Sequence, residues 1–495
     1  MSDAQKNESA QADGVLFPLI DGRRSTQSTA KAVFADAARG VAPDVADAIE
    51  HSRNWHKDYV AHLSTLERVS ALSPKSALSV AADGLFALHE RMVFARDGDE
   101  LSLSHALDRW QSSPFETVTL DGLAPHPRRL VIPYRGQELS GDALHRQLDE
   151  WVRRGVIEPS CADALRLVDA QPDWLDASDI TVALVGAAAE MSPLPALLEW
   201  GATVAAVDLP RPAVWERIVT AARAGSGRVL APATGDAIAG ADLLTQLPEI
   251  RSWLTGLATP LVFGNYAYAD GAMFVRVAAA ADALTADLTA SGTARALAYL
   301  ASPTDVFAVP MPVVDAARAG GDVKRRGRVI GGPLRTLTGS RMFTPNYRVV
   351  VDGEDGQRFG LADSVVPQQG PNYALAKRLQ RWRAVVARET VLTSANVAPA
   401  TKTKSVMKNR VLAAAYSGAS RYGVEVFETR TSSTLMAALL LHDLRNPKAA
   451  AHPDTMLSHP LGLFVDQAAH GGLWRLPWEP RSVLPLAAVE GLVRR

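Results

Sequence analysis

The hydrophobic pattern changes period along the chain. From Ser25 to about Arg96, apolar residues recur at three- and four-residue intervals, as in Ala30, Val33, Phe34 and Ala37, or Leu85, Leu88 and Met92, which predicts helices. Between Thr117 and Tyr134 the period shortens to that of strands, broken by a Pro- and Gly-containing segment at 121–127. Residues 140–168 return to helix, with Ser140 as N-cap and Leu144, Leu148, Trp151 and Val152 on one face. Gln171-Pro172-Asp173 closes this part. Residues 15–175 thus read as a mainly helical N-terminal domain, behind a polar tail at 1–14 that is expected to be disordered.

Beyond Asp179, short continuous apolar runs alternate with helical stretches. Residues 180–185, 204–207, 227–232, 259–265 and 294–300 read as strands buried on both faces of a parallel sheet. Helices are expected at 193–200, 212–224, 241–256 and 273–288. This repeated β-α-β spacing predicts an α/β fold, a doubly wound parallel Rossmann-like sheet over residues 176–430. Residues 303–370 form a long insertion with the basic run Lys324-Arg325-Arg326-Gly327-Arg328 and the pair Gly331-Gly332, expected to cap a substrate. Residues 423–428 read as a last strand. The C-terminal extension, 431–495, holds His452, His459, His470, Trp474 and Trp478; substrate cover or subunit packing is its expected role, which leaves a homo-oligomer open.

Within 179–208, Gly186 opens the turn after the first strand and Asp208 ends the second. An acid about 20 residues past such a turn can accept hydrogen bonds from an adenosine ribose; the alternative is that Asp208 caps the following helix. A ribose role favours NAD over NADP, since a carboxylate repels a 2′-phosphate, although Arg211 three residues on offsets that. Glu190 and Ser192 stand where a GxxxGxG loop has its second and third glycines. Ser192 and free helix N–H groups can hold phosphate, whereas Glu190 repels it.

Tyr373 and Lys377 lie one helical turn apart, with the helix formers Ala374, Leu375 and Ala376 between them. An ammonium beside a phenol is expected to lower its pKa from near 10 and fit it for acid–base work. A strand-like run at 390–393 then leads to Ser394-Ala395-Asn396-Val397-Ala398-Pro399. This order resembles the short-chain dehydrogenase/reductase family, in which a YxxxK helix precedes a strand ending in an NxVxPG-like segment. Val397 and Pro399 match; Ala395 replaces the asparagine with Asn396 one residue late, Ala400 replaces the glycine, and Lys404 falls where threonine is frequent. The resemblance implies NAD or NADP as cofactor, with Tyr373, Lys377 and Ser302 as catalytic residues. It further implies that Gly186, Ser192, Asp208, Asn265, Lys377 and Pro399 bind the cofactor. Gly264-Asn265 falls at an NAG-like turn, and Ser302 ends the strand that bears the family's serine, with Ser364 as competitor.

Composition narrows the alternatives. A formal net charge of −1 gives no electrostatic case for nucleic acid, and the single Cys161 excludes an internal disulfide and a cysteine-based metal cluster. The histidines at 51, 56 and 62, interleaved with Trp55 and Tyr59, lack an HExxH pattern, and no metal site is expected. No run reaches the roughly 20 apolar residues of a membrane span and the N-terminus lacks a secretory pattern, so a cytoplasmic location is expected, with a small-molecule substrate, and the many alanines, arginines and aspartates suggest a GC-rich bacterial genome. The 11 histidines all fall at or before His145, or at or after His442, which suits tyrosine-based chemistry in the core. An S-adenosylmethionine-dependent methyltransferase on the same scaffold and a non-catalytic scaffold protein are the competing expectations.

Overall fold

The computed structural model describes residues 13–127, 129–257, 260–320 and 342–493. About half of the chain is helical, around an eight-stranded, mostly parallel sheet. Its strands are β1 (Glu116–Asp121), β2 (Thr181–Val185), β3 (Thr203–Val207), β4 (Arg228–Thr234), β5 (Ala237–Ile238), β6 (Leu261–Asn265), β7 (Ala294–Ala301) and β8 (Leu392–Val397). The parallel strands lie in the order β4-β3-β2-β6-β7-β8, and both β1 and β5 pair antiparallel with β4. Counted by its parallel strands alone the order is 3-2-1-4-5-6, which doubly wound dinucleotide-binding sheets share.

The apolar strand runs have no polar alternation because both faces of the sheet are covered. Ala183, Val185, Ala205, Val207, Phe263, Leu297 and Tyr299 enter one core; their neighbours Val182, Leu184, Val204, Ala206, Val262, Ala296 and Ala298 enter the other. Val182, Leu184 and Leu297 are wholly buried, and each such side chain contributes about 1.5–3 kcal/mol.

Six helices frame the site: α1 (Thr26–Arg39), α2 (Trp55–Ser70), α3 (Pro74–Arg91), α4 (Ala272–Ala290), α5 (Gly370–Ala387) and α6 (Thr429–Arg445). On the first face α5 packs beside α4, and α1 and α3 pack over α5 as an outer layer. Trp382 of α5 meets Phe34 of α1 edge-on at 5.7 Å. On α3, Gly84 makes room for that indole, since a Cβ there would lie 2.4 Å from the ring. On the opposite face α6 lies against β8 and the helix Pro159–Ala170.

Packing therefore joins what the hydrophobic pattern separates. Residues from 15–175 enter both cores, and β1 extends the sheet edge, so the change of pattern near 175 is no boundary of packing. In the C-terminal extension, α6 covers the sheet, and Phe464 and Trp474 fill the first core. The strand expected at 423–428 is absent: apart from one bridge between Thr401 and Phe427, that stretch is irregular. Polar Glu425 there turns inward to accept the Tyr134 hydroxyl at 2.7 Å, and its N–H donates to the Gly471 carbonyl rather than to a strand. Insertion 303–370 carries the antiparallel strands Val306–Pro310, Arg358–Asp363 and Val350–Asp352 and the helix Met311–Ala319. Its sheet packs on α2. The basic run Lys324–Arg328 and Gly331-Gly332 lie outside the described residues.

Candidate active site

The parallel strands end on one side of the sheet, and a cleft of about 650 Å³ opens there. Turns after β2, β6, β7 and β8 line it, together with α5 and the segment 399–416. Among the described residues of the insertion, only the two ends reach the cleft: Pro303 and Thr304 at one, Val366, Gln368 and Gln369 at the other. The sheet formed by the described residues of the insertion thus lies to the side, against α2, and residues after β8 line the cleft.

Gly186 lets the turn after β2 approach that after β6. Its φ is +75°, and a Cβ would fall 2.6 Å from the Ala267 Cα. Gly186→Ala is expected to cost about 1–3 kcal/mol of stability through that strained conformation, read as a lower denaturant midpoint. An unchanged midpoint would mean that the turn relaxes freely.

Tyr373, Lys377 and Ser302 converge in the cleft. The Tyr373 hydroxyl donates to Ser302 Oγ at 3.0 Å across 71 residues of sequence. Ser302 follows β7 directly, in a buried Ser-Pro-Thr turn, and its hydroxyl lies 2.8 Å from Thr304 Oγ1. The competitor Ser364 is buried beside Asp305, outside the cleft lining, where its N–H donates to the Asp305 carbonyl. Phe274 of α4, 5.7 Å away, and Tyr268, 6.5 Å away, hold the Tyr373 ring.

The electrostatics differ from expectation. Lys377 Nζ donates to the Leu300 carbonyl at 3.2 Å and to Gln380 Oε1 at 3.0 Å rather than to the phenol. Burial holds its ammonium down to about 8, opposed by nearby Asp305. Burial likewise pushes the Tyr373 phenol up, and the Ser302 hydrogen bond only partly offsets it. The lowered phenol expected from helical spacing is therefore not found, because both groups are desolvated and the lysine is turned toward the end of β7.

The expected cofactor residues divide into two groups. Asn265, Lys377 and Pro399 line the cleft. Ser192 does not: it is 2% exposed and its Oγ accepts the Leu194 N–H at 3.2 Å, just before the helix Leu194–Glu199. Asp208 is also drawn inward, accepting the N–H groups of Ala188 and Leu209 at 2.8 Å, and burial pushes its carboxyl up. It ties the turn after β2 to the end of β3. Arg211 is exposed at the N-cap of Pro212–Ala224 and does not line the cleft, whose cations are Arg217, Lys377, Lys404 and Lys408. Glu190 is at the mouth, where its carboxylate accepts the Lys404 N–H at 2.7 Å.

A one-residue slip in the β8 segment has a structural outcome. Successive strand residues face opposite ways, so Ala395 points to the α5 side, whereas Asn396 bonds Asp443 of α6 at 2.9 Å behind the sheet. Tyr268, Thr304, Gln369, Gln380 and Tyr416 are cleft or supporting residues that sequence patterns missed. The only signal at Thr304 and Gln369 is polarity at the edges of apolar elements. The lining contains no histidine, and the described residues hold no cluster of three metal-ligating side chains. None of their helices is long and apolar enough to cross a membrane.

A dinucleotide can be tested against these groups. Asn265, Lys377 and Pro399 offer a carbonyl-and-ammonium surface for a ribose and a ring, and Arg217, Lys404 and Lys408 are further cations of the lining. The turn after β2 brings the Glu190 carboxylate into the same lining, 3.9 Å from Lys404 Nζ, and a carboxylate there would repel a diphosphate. The residues fit on condition that Glu190 moves aside. No protein-family model matches the sequence and no curated protein is similar to it, so the reading of this site rests on its own geometry.

Proposed function

We propose that the protein is an NAD(P)-dependent oxidoreductase that moves a hydride between nicotinamide and a carbonyl or alcohol substrate, on a Rossmann-like fold similar to that of short-chain dehydrogenases/reductases. The observation that carries this reading is the Tyr373–Ser302 hydroxyl pair at 3.0 Å, with Lys377 one turn along the same helix, at the C-terminal ends of the parallel strands. When bound, the nicotinamide supplies the hydride in reduction or accepts it in oxidation. In reduction Tyr373 gives its hydroxyl proton to the substrate oxygen as negative charge develops there. Ser302 holds the phenol. Lys377 sits within the cleft to bond the cofactor ribose and, titrating near 8, is mainly cationic at neutral pH.

Fluorescence titration of the full-length protein with NADH and NADPH tests the reading. Saturable binding of one of them is expected, and Glu190→Gln should tighten it about fivefold, the effect of one charge pair of ~1 kcal/mol facing water. No binding of either by both forms overturns it. The glutamate on a glycine-poor turn is also what favours a methyltransferase, whose cofactor has no diphosphate. S-adenosylmethionine binding that is indifferent to Glu190→Gln would select that reading, and binding of no cofactor would select a scaffold.

A further inference from the structure

Four side chains form one hydrogen-bonded chain that runs out of the catalytic pair. Tyr373 Oη lies 3.0 Å from Ser302 Oγ, Ser302 Oγ 2.8 Å from Thr304 Oγ1, and Thr304 Oγ1 2.8 Å from Gln369 Oε1. Each hydroxyl has one proton to donate, and an amide end either accepts through oxygen or donates through nitrogen. The direction of the whole chain therefore depends on which end of Gln369 meets Thr304.

We propose that Gln369 is a positioning residue whose amide orientation sets the direction of the hydrogen bonds that reach the Tyr373 phenol. This rests on the reading of Tyr373 as the proton donor. With Oε1 toward Thr304, as the structure has it, Thr304 donates to Gln369, Ser302 donates to Thr304, and Tyr373 donates to Ser302. Ser302 then has no proton to offer a ligand oxygen or a phenolate. With Nε2 turned in, the amide donates to Thr304, Thr304 to Ser302, and Ser302 to the phenolate oxygen left after proton donation. No proton travels along the chain; its bonds reverse, so that each state of the phenol finds a partner. Hydrogen bonds aligned in series polarise one another, which carries the effect over two intervening hydroxyls.

The surroundings are built for this. Gln369 ends the turn Pro367–Gln369 just before α5, and its N–H donates to the Val366 carbonyl at 3.0 Å. Tyr59 of α2 donates to the Pro367 carbonyl at 3.3 Å, which braces that turn from the N-terminal helices. Ser302 and Thr304 are each 8% exposed where they line the cleft. The other titratable groups facing the phenol are Tyr268, Asp305, Lys377 and Tyr416, and none of them bonds to the chain in the structure.

The test needs no cofactor or substrate. Full-length protein labelled with 3-fluorotyrosine, whose phenol is more acidic, is titrated by fluorine NMR, and the Tyr373 signal is assigned by its loss in Tyr373→Phe. Gln369→Leu is expected to raise the phenol midpoint by about 0.5–1 pH unit, a three- to tenfold change, because the phenolate loses the donor at the end of its chain. Gln369→Asn, an amide too short to reach Thr304, should do the same with the charge and polarity kept. In the Thr304→Val background, where the chain is already cut, neither substitution should move the midpoint further. An unchanged midpoint in both variants, or a shift of equal size in the Thr304→Val background, overturns the inference. Coupling without any dinucleotide binding would defeat the proposed function alone; dinucleotide-linked turnover without coupling would defeat this inference alone.

Discussion

Tyr373→Phe is expected to lower turnover by about 10²–10⁴ while cofactor binding and stability stay near those of the parent. The ring is held by Phe274 and Tyr268, and these contacts are kept by phenylalanine. What is lost is one hydroxyl, 3.0 Å from Ser302 and the only acidic proton of the pair. The pH dependence follows from the shifts. Because burial pushes the phenol up, it is protonated at neutral pH, the state that reduction needs. Reduction should hold through neutrality and fall as pH rises through the phenol's titration, while oxidation, which needs the phenolate, should rise over the same range. The Lys377 ammonium is lost as pH rises through about 8, which adds an earlier decline in cofactor affinity. The check is the rate of NAD(P)H oxidation against pH with any carbonyl compound the parent reduces. A Phe variant within about tenfold of the parent rate would remove Tyr373 from the chemistry.

The parts of this site that were legible in the sequence share a physical reason. Strands buried on both faces must be apolar without alternation, and the runs at 180–185 and 294–300 have no competing helical reading of that length. The Tyr373–Lys377 pair is set by local helix geometry, and Ser302 by its place at a strand end. Contacts that depend on distant segments were not legible. Ser192 is spent on the Leu194 N–H because the chain turns into the helix Leu194–Glu199 two residues later. Asp208 is spent on the Ala188 N–H because the turn after β2 folds back over β3. The pairing of β1 with β4 joins segments more than a hundred residues apart, which no local pattern announces. Likewise, helical spacing could place Lys377 near Tyr373 but could not show that its ammonium turns to the Leu300 carbonyl.

The second large effect is expected from the charges that hold α5 in place. Arg378 and Arg381 share the buried carboxylates of Glu67 from α2 and Asp305, one residue past Thr304. Arg381 lies 2.8 Å from both acids, Arg378 lies 2.8 Å from Asp305 and is paired with Glu67, and none of the four is more than 5% exposed. Two cations balance two anions, so desolvation is offset only while the set is complete. Glu67→Ala leaves two guanidinium groups facing one carboxylate and should cost about 3–5 kcal/mol, read from denaturant unfolding. Glu67→Gln keeps the shape and removes the charge; a similar loss would assign the effect to charge, whereas a loss below about 1 kcal/mol would show that packing dominates. The pH dependence has a definite sign. The guanidinium groups hold the Asp305 carboxyl below its ordinary value despite burial, so its contribution is present above the unfolded carboxylate pKa of about 3.9 and is lost as pH falls through its folded value. Asp305 also accepts the Ser364 N–H through its carbonyl and follows the Ser302–Thr304 turn directly, so breaking the set should loosen that turn. The Glu67 variants should therefore lose turnover at temperatures where they remain folded, which separates support of the hydroxyl pair from stability of the chain as a whole.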